Sequence, residues 1–157
     1  MTKEEFADRI VAMQDRMYRV STTLLKRLCD REDAVQSAIE KAWRHQKKLR
    51  DDSAMQAWVM RILINECYAL LRRSKKEVPS DTLPERETAQ DARPDIYGLF
   101  TGLDEKYRLT MMLHYVEGYR VEEIARMLRL PQGTVKSRLH RWRLKLREAL
   151  TLEDDCI

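Results

Sequence analysis

Apolar residues recur every three or four positions over most of the chain, which is the spacing of one buried face on an α-helix. Three such stretches lie in the first 76 residues. Their apolar positions are Phe6, Ile10, Met13, Met17 and Val20; Val35, Ala38, Ile39, Ala42 and Trp43; and Met55, Trp58, Val59, Ile62 and Leu63. The pattern predicts a first unit of three or four helices, each with one face in a shared core.

Residues with capping chemistry precede two of these stretches. Asp30 is the predicted N-cap of the second helix, and Ser53 with Gln56 three residues later is the predicted capping box of the third. The apolar pattern of the third helix weakens at Asn65, where a capped bend is one interpretation. The helix then ends in a group of cations, Arg72, Arg73, Lys75 and Lys76.

The periodicity stops after these cations. The stretch from Lys75 to Pro94 holds three of the four prolines and few large apolar residues, which is typical of a flexible linker. From Glu77 to Asp95 six acids stand against two arginines, so the linker is acidic. We therefore predict an all-α protein of two small helical domains, 1–76 and 95–152, joined by a flexible linker over 77–94.

A second helical unit is predicted after the linker. Ile96, Leu99 and Phe100 predict a short helix, and Asp104 is a candidate cap for a helix that ends at Gly118. Two further helical stretches follow, separated by residues 130–133 with a proline suited to a first helical position. Two helices joined by a tight turn form a helix-turn-helix, in which the second helix enters the DNA major groove.

The net charge of +4 is modest, but its distribution is uneven. Nine Lys and Arg residues stand against two acids between Arg120 and Arg147. On the last helix Val135, Leu139, Trp142, Leu146 and Leu150 share one side, and the cations occupy other sides. A cationic outer face binds phosphates and base edges. A solvated face with no ligand is the alternative at this point.

Other functional classes find little support. The three cysteines are far apart and no Cys or His cluster has metal-ligand spacing, which argues for reduced thiols and against a zinc site or a disulfide framework. Cys29 and Cys67 are expected to be buried, inert thiols. The three histidines lack partners for catalysis, so we expect no enzyme activity, no cofactor and no metal. Without an apolar run long enough to span a membrane, or a signal peptide, the protein is expected in the cytoplasm.

The motifs resemble those of one family. EEIARML followed by LPQGTVKSRLHRW is similar to the promoter-reading helix-turn-helix of the extracytoplasmic-function group of bacterial RNA polymerase sigma factors. DREDAVQSAIEKAW, from Asp30 to Trp43, resembles the segment of that family that binds core polymerase, and AWVMRILINE, from Ala57 to Glu66, resembles a further family signature. The three motifs occur in order over nearly the whole chain.

The resemblance implies a role for residues at matching positions. It implies polymerase binding by Asp33, Gln36 and Glu40; minus-ten DNA binding by Asn65, Arg72, Arg73, Lys75 and Lys76; and minus-thirty-five DNA binding by Lys136, Ser137, Arg138, His140 and Arg141, with Arg138 on the backbone. It also implies core RNA polymerase, promoter DNA and an anti-sigma factor as partners. For Asp33 and Gln36, a plain polar surface is the alternative.

The expected function is therefore that of a transcription initiation factor, which brings polymerase to promoters and assists melting. Two other classes remain open. A stand-alone helix-turn-helix regulator would leave the two motifs of the first unit unused and would bind duplex DNA without polymerase. An α-helical interaction module would apply the basic face to an acidic protein.

Overall fold

The computed structural model of the protein describes residues 1–76 and 104–155. The chain divides into two compact units, Met1–Glu87 and Thr88–Ile157. The predicted linker over 77–94 and the predicted short helix around Ile96 lie outside the described residues. Helices and turns, without a strand, make up the described part of both units.

The described part of the first unit is built from three long α-helices. These are α1 (Lys3–Leu24), α2 (Leu28–Arg44) and α3 (Met55–Lys76), with 3-10 turns at Gln46–Lys48 and Asp52–Ala54 between α2 and α3. Each helix packs against the other two. This arrangement confirms the all-α prediction and follows from the single apolar face on each helix.

Flexible and small side chains fill the core of this unit. Met17, Met60 and Leu63 are completely buried. The Phe6 ring packs 6.1 Å from Trp43 and 6.5 Å from Trp58, measured between ring centroids. On α2 the buried positions are Ala34, Val35, Ala38 and Ala42. Alanine methyl groups at these positions let the α2 backbone lie close to its neighbours.

The predicted N-cap of α2 was wrong by three residues. The helix begins at Leu28, its N-cap is Arg27, and Asp30 lies in its first turn. Arg31 determines the entry, because its guanidinium Nε donates to the Leu25 carbonyl at 2.8 Å and its Nη2 to the Lys26 carbonyl at 3.1 Å. The start of α2 is therefore stabilised by the Arg31 side chain, which hydrogen-bonds carbonyls five and six residues earlier. The spacing of apolar residues does not reveal such a contact.

The predicted capping box at Ser53 was also wrong. Asp51 is the capping residue: its carboxylate accepts from the Ser53 backbone N–H at 3.0 Å and from the Ser53 hydroxyl at 2.7 Å. Gln56 instead accepts a hydrogen bond from Arg16 of α1 at 3.0 Å. The Gln56 side chain thus joins α3 to α1 and does not serve as the predicted cap.

Two further expectations about the first unit need correction. The α3 helix runs without interruption from Met55 to Lys76, so Asn65 lies inside a continuous helix. Trp43, predicted in the buried stripe, is 44% exposed although it contacts Phe6. It lies at the edge of the apolar face, where only part of the indole is covered.

The described part of the second unit begins with α4 (Glu105–Met111), followed by a π-helical turn (Met112–Val116). The helices α5 (Val121–Leu128) and α6 (Gln132–Asp155) form the predicted helix-turn-helix. Leu109, Leu113, Ile124, Val135 and Leu139 are buried between these elements. Asp104 lies at the N-cap of α4, and its backbone carbonyl accepts from the Tyr107 and Arg108 N–H groups.

A residue with positive φ follows the π-helical turn, and another ends α5. Gly118 has φ +76°, which confirms it as a stop signal, and Arg129 has φ +54° at the end of α5. The carbonyl of Pro131 accepts the first backbone hydrogen bonds of α6, from Thr134 and Val135. Pro131 thus precedes the helix directly, one residue before the predicted place.

The apolar side of α6 is covered only over its first half. Val135 and Leu139 are buried, whereas Trp142 and Leu146 are partly covered and Leu150 is 50% exposed. The predicted stripe of five buried residues therefore holds for two of them. No helix in residues 1–76 or 104–155 is apolar enough over a sufficient length to cross a membrane.

Candidate functional sites

A surface groove separates α2 from α3 in the first unit. Its volume is about 410 Å³. The three exposed residues predicted to bind polymerase, Asp33, Gln36 and Glu40, line it on the α2 side. The structure thus brings all three predicted residues to one concave surface. The other lining residues are Ala34, Ser37, Lys41, Arg44, Glu66, Ala69, Leu70 and Arg73.

An ion pair joins the two walls of the groove. The ammonium of Lys41 on α2 donates to the carboxylate of Glu66 on α3. The side chain of Glu66 is only 17% exposed, and that of Lys41 is 52% exposed. Neither residue was singled out from the sequence, because the pairing depends on which side of α3 faces α2. Helix spacing alone could not have identified it.

The residues predicted to bind the minus-ten element divide between two sides of α3. Asn65 and Arg72 are exposed and lie seven residues apart, about two helical turns, so they share a side. Arg73 lines the groove beside the α2 residues instead. Lys75 is exposed, and the Lys76 side chain lies outside the described part of the chain.

The predicted minus-thirty-five residues lie on the first turns of α6. Lys136, Ser137, His140 and Arg141 are exposed, and Arg138 is partly covered. The structure therefore places four of the five on the outer surface of the second helix of the motif. Among the described residues, no carboxylate forms an ion pair with any of them. Such a surface is suited to phosphate oxygens and base edges.

Tyr107 of α4 contacts this surface and was missed by the sequence reasoning. Arg141 Nη1 donates a hydrogen bond to the Tyr107 hydroxyl at 2.9 Å. This bond lowers the pKa of the Tyr107 hydroxyl from its ordinary value, since it stabilises the phenolate. The spacing of 34 residues between the two gives no signal in a linear pattern.

The two cysteines in the described part of the chain differ in exposure. Burial raises the pKa of the Cys67 thiol to about 12, as expected of a buried inert thiol, whereas Cys29 is exposed, so its predicted burial was wrong. Within the described residues, no group of His, Cys, Asp and Glu side chains is arranged to hold a metal ion. His114 donates from Nδ1 to the Tyr119 carbonyl at 2.9 Å, which is a structural contact.

Comparisons with known proteins identify both units. Residues 10–77 match the family described as Sigma-70 region 2, and residues 95–146 match Sigma-70, region 4. The protein is 31% identical to the RNA polymerase sigma-E factor of Streptomyces coelicolor, over 96% of this chain and 88% of that one. It is 26% identical to the ECF RNA polymerase sigma factor SigW of Bacillus subtilis, over 94% and 90% of the two chains.

A solved structure shows the same fold. The sigma factor RpoE from Bartonella quintana, crystallised in complex with the anti-sigma factor NepR, superposes with a TM-score of 0.79 at 26% identity. The match covers 94% of this chain and 98% of that one. The protein is thus a sigma factor of the sigma-70 class. It belongs to the extracytoplasmic-function group of RNA polymerase sigma factors, as the three motifs predict, and functions in transcription initiation.

Proposed function

We propose that the protein binds core RNA polymerase through residues 1–76, with Asp33, Gln36 and Glu40 in contact with the enzyme. Residues 95–152 bind the minus-thirty-five element, and residues 77–94 connect the two parts. One observation carries the proposal. A single chain combines a polar groove on one unit with a helix-turn-helix on the other, whose second helix has a cationic outer surface.

Arg73 changes its assignment within this scheme. The sequence placed it with the DNA-binding cations, but its side chain lines the groove together with Asp33 and Glu40. We therefore assign Arg73 to the polymerase surface. Asn65, Arg72, Lys75 and Lys76 remain the candidates for the minus-ten element. Capture of unstacked bases by such residues offsets an extrusion cost of a few kcal/mol per base and so assists melting.

The second unit contributes duplex affinity upstream. Lys136, Ser137, His140 and Arg141 face outward from α6, and Arg138 is close enough to the surface for a backbone contact. Each phosphate neutralised by a cation steepens the dependence of log affinity on log salt by about 0.9. Tethering this duplex contact to the polymerase-bound unit raises its effective concentration.

An anti-sigma factor is a further proposed partner, and the cytoplasm is the proposed compartment. The support is that the structurally similar sigma factor RpoE was crystallised with an anti-sigma factor. A partner of this kind would compete for the surfaces that polymerase uses. Addition of a cognate anti-sigma factor should therefore displace the protein from core polymerase in a size-exclusion experiment.

Run-off transcription tests the proposed function directly. Bacterial core polymerase with this protein should produce transcripts from specific fragments of a promoter pool, and core polymerase alone should not. Tight duplex binding by the protein without polymerase, together with absent transcripts, would instead support a stand-alone regulator. Absence of both activities would favour the interaction-module alternative.

A matched pair of charge reversals tests the groove. Glu40→Lys should weaken core polymerase binding by about tenfold or more, because it reverses the charge of a groove residue that is proposed to contact the enzyme. Asp15→Lys makes the same charge change on the exposed side of α1 and should leave binding unaltered. Equal effects of the two variants would show that net charge, and not the groove, governs binding.

A further inference from the structure

Tyr107 is positioned to hold one of the DNA-facing arginines. Its hydroxyl accepts a hydrogen bond from Arg141 Nη1 at 2.9 Å, and the Arg141 guanidinium carbon lies 5.9 Å from the centre of the Tyr107 ring. Arg141 therefore contacts both the polar tip and the aromatic face of the same side chain. The two residues come from α4 and α6, so the contact also joins the recognition helix to the rest of its unit.

An arginine held in this way loses less conformational entropy when it binds a ligand. A mobile arginine must give up most of its rotamer freedom when it binds, and ordering it in advance removes part of that cost. A guanidinium has five N–H donors, and the Tyr107 contact uses one of them. The remaining donors stay available for phosphate oxygens.

We propose that Tyr107 is a positioning residue that orders the Arg141 guanidinium for the minus-thirty-five duplex. The inference rests on the proposed DNA contact of Arg141 and extends it to a residue outside the helix-turn-helix. Tyr107 itself need not touch DNA in this scheme. Its hydroxyl acts through Arg141, so its effect on affinity exists only while Arg141 is present.

The same helix provides a matched control. Arg143 donates from Nε to the Tyr115 hydroxyl at 2.5 Å, and its guanidinium carbon lies 5.9 Å from the Tyr115 ring centre. At about 100° per residue, Arg143 lies nearly opposite Arg141 on α6, on the side of Lys136 and His140. Tyr115→Phe therefore removes a chemically equivalent hydrogen bond that does not involve Arg141.

The test is a double-mutant cycle on the full-length protein. The probe is a labelled duplex that carries the upstream element of a promoter selected in the run-off experiment, and fluorescence anisotropy gives its affinity over a range of salt concentrations. Tyr107→Phe keeps the ring and removes only the hydroxyl. It should weaken binding by about two- to tenfold, the cost of ordering one long side chain. Tyr115→Phe should have the same effect on the affinity whether or not Arg141 is present.

Two readouts separate positioning from a purely structural role. In the Arg141→Ala background, Tyr107→Phe should have no further effect, and it should leave the salt slope of the parent protein unchanged, whereas Arg141→Ala lowers that slope by about 0.9. By NMR, the Arg141 side-chain Nε–H signal should show restricted motion that is lost in Tyr107→Phe. This NMR measurement remains decisive even if a variant is less stable.

Each alternative outcome has a distinct meaning. Equal weakening by Tyr107→Phe with and without Arg141 would overturn the positioning role, as would a mobile Arg141 side chain in the parent protein. If Arg141→Ala itself binds as tightly as the parent, the proposed DNA contact of Arg141 fails, and the inference fails with it. A run-off reaction without transcripts would instead reject the proposed function of the whole protein.

Discussion

The Cys67 thiol should be chemically inert in the folded protein at neutral pH. Its side chain is completely buried on α3, and burial raises its pKa to about 12, with the neighbouring Glu66 carboxylate contributing in the same direction. The thiolate is the nucleophile that reacts with thiol reagents and oxidants. At pH 8 a thiol of pKa about 12 is ionised to roughly 0.01%, compared with roughly 10% for one of pKa about 9, a difference of about a thousandfold.

The assay uses proteins with a single thiol. A variant with Cys29→Ser and Cys156→Ser keeps only Cys67, and a second variant with Cys67→Ala and Cys156→Ser keeps only Cys29, which is exposed. At pH 8 the Cys29 protein should react with an aromatic disulfide at least a thousand times faster than the Cys67 protein. In denaturant the two rates should become similar. Comparable rates in the folded state would refute the burial argument and reopen a redox role for Cys67.

The same raised pKa affects stability at alkaline pH. Because the folded-state pKa lies above the unfolded-state value of about 9, the contribution of Cys67 is fully present below pH 9 and is lost as the pH rises towards 12. At about 1.36 kcal/mol per pH unit, the loss at pH 10.5 is about 2 kcal/mol. Urea unfolding of the first unit should show this slope, and the Cys67→Ala variant should lack it. Parallel curves for the two proteins would contradict the prediction.

Three further predictions concern two arginines of α3, two glycines of the second unit, and the turn before α3. Arg73→Ala should weaken core polymerase binding by about two- to tenfold, while Arg72→Ala should leave that binding intact and reduce promoter opening; the reverse result would contradict the groove assignment. Gly118→Ala should destabilise the second unit by about 1 kcal/mol, because a φ of +76° is unfavourable for a residue with a Cβ. Steric contact does not contribute, since the added Cβ meets nothing within 4 Å. Gly133→Ala, in α6 and equally unobstructed, should stabilise instead, and calorimetry compares the two. Hydrogen bonds from Ser53 lower the pKa of the Asp51 carboxyl, so the capped turn should be weakened as the pH falls below about 4, and Asp51→Asn should remove this dependence in amide exchange of the turn.

The sequence predicted the helical interior of the fold well, because burial and spacing are directly linked on a helix. Phe6, Ile10, Met13, Met17 and Val20 were predicted on one face and are all buried. The same argument identified the second unit and its turn, where Gly118 supplies a left-handed residue. Arg129 adopts a similar conformation without any sequence signal for it.

Helix starts were predicted less well, because several neighbouring polar residues can form the hydrogen bonds at a helix start. Asp30 and Ser53 have good capping chemistry, yet Arg31 binds the carbonyls just before α2, and Asp51 caps the 3-10 turn that leads into α3. Local patterns give the candidates, and the fold selects among them. Trp43 shows a related limit, since a residue at the edge of an apolar face has the same spacing as one at its centre.

The candidate sites likewise contain some residues that the sequence could group and others that it could not. Residues on one helix, such as Asp33, Gln36 and Glu40, could be grouped through the resemblance of one continuous motif, and they do line one groove. Residues that join helices could not be grouped. The pairs Lys41–Glu66 and Tyr107–Arg141 connect positions 25 and 34 residues apart, and only the packing of the helices brings them together.

The small side chains on α2 have a consequence for engineering. Ala34, Ala38 and Ala42 are buried side chains no larger than a methyl group on the helix that carries the proposed polymerase-binding residues. Small side chains let a helix approach its neighbours closely, and Ala34 also lines the groove. We expect a selection for variants that serve a foreign polymerase to recover changes at these hidden positions, because they shift α2, and with it the proposed polymerase contacts, without altering an exposed residue.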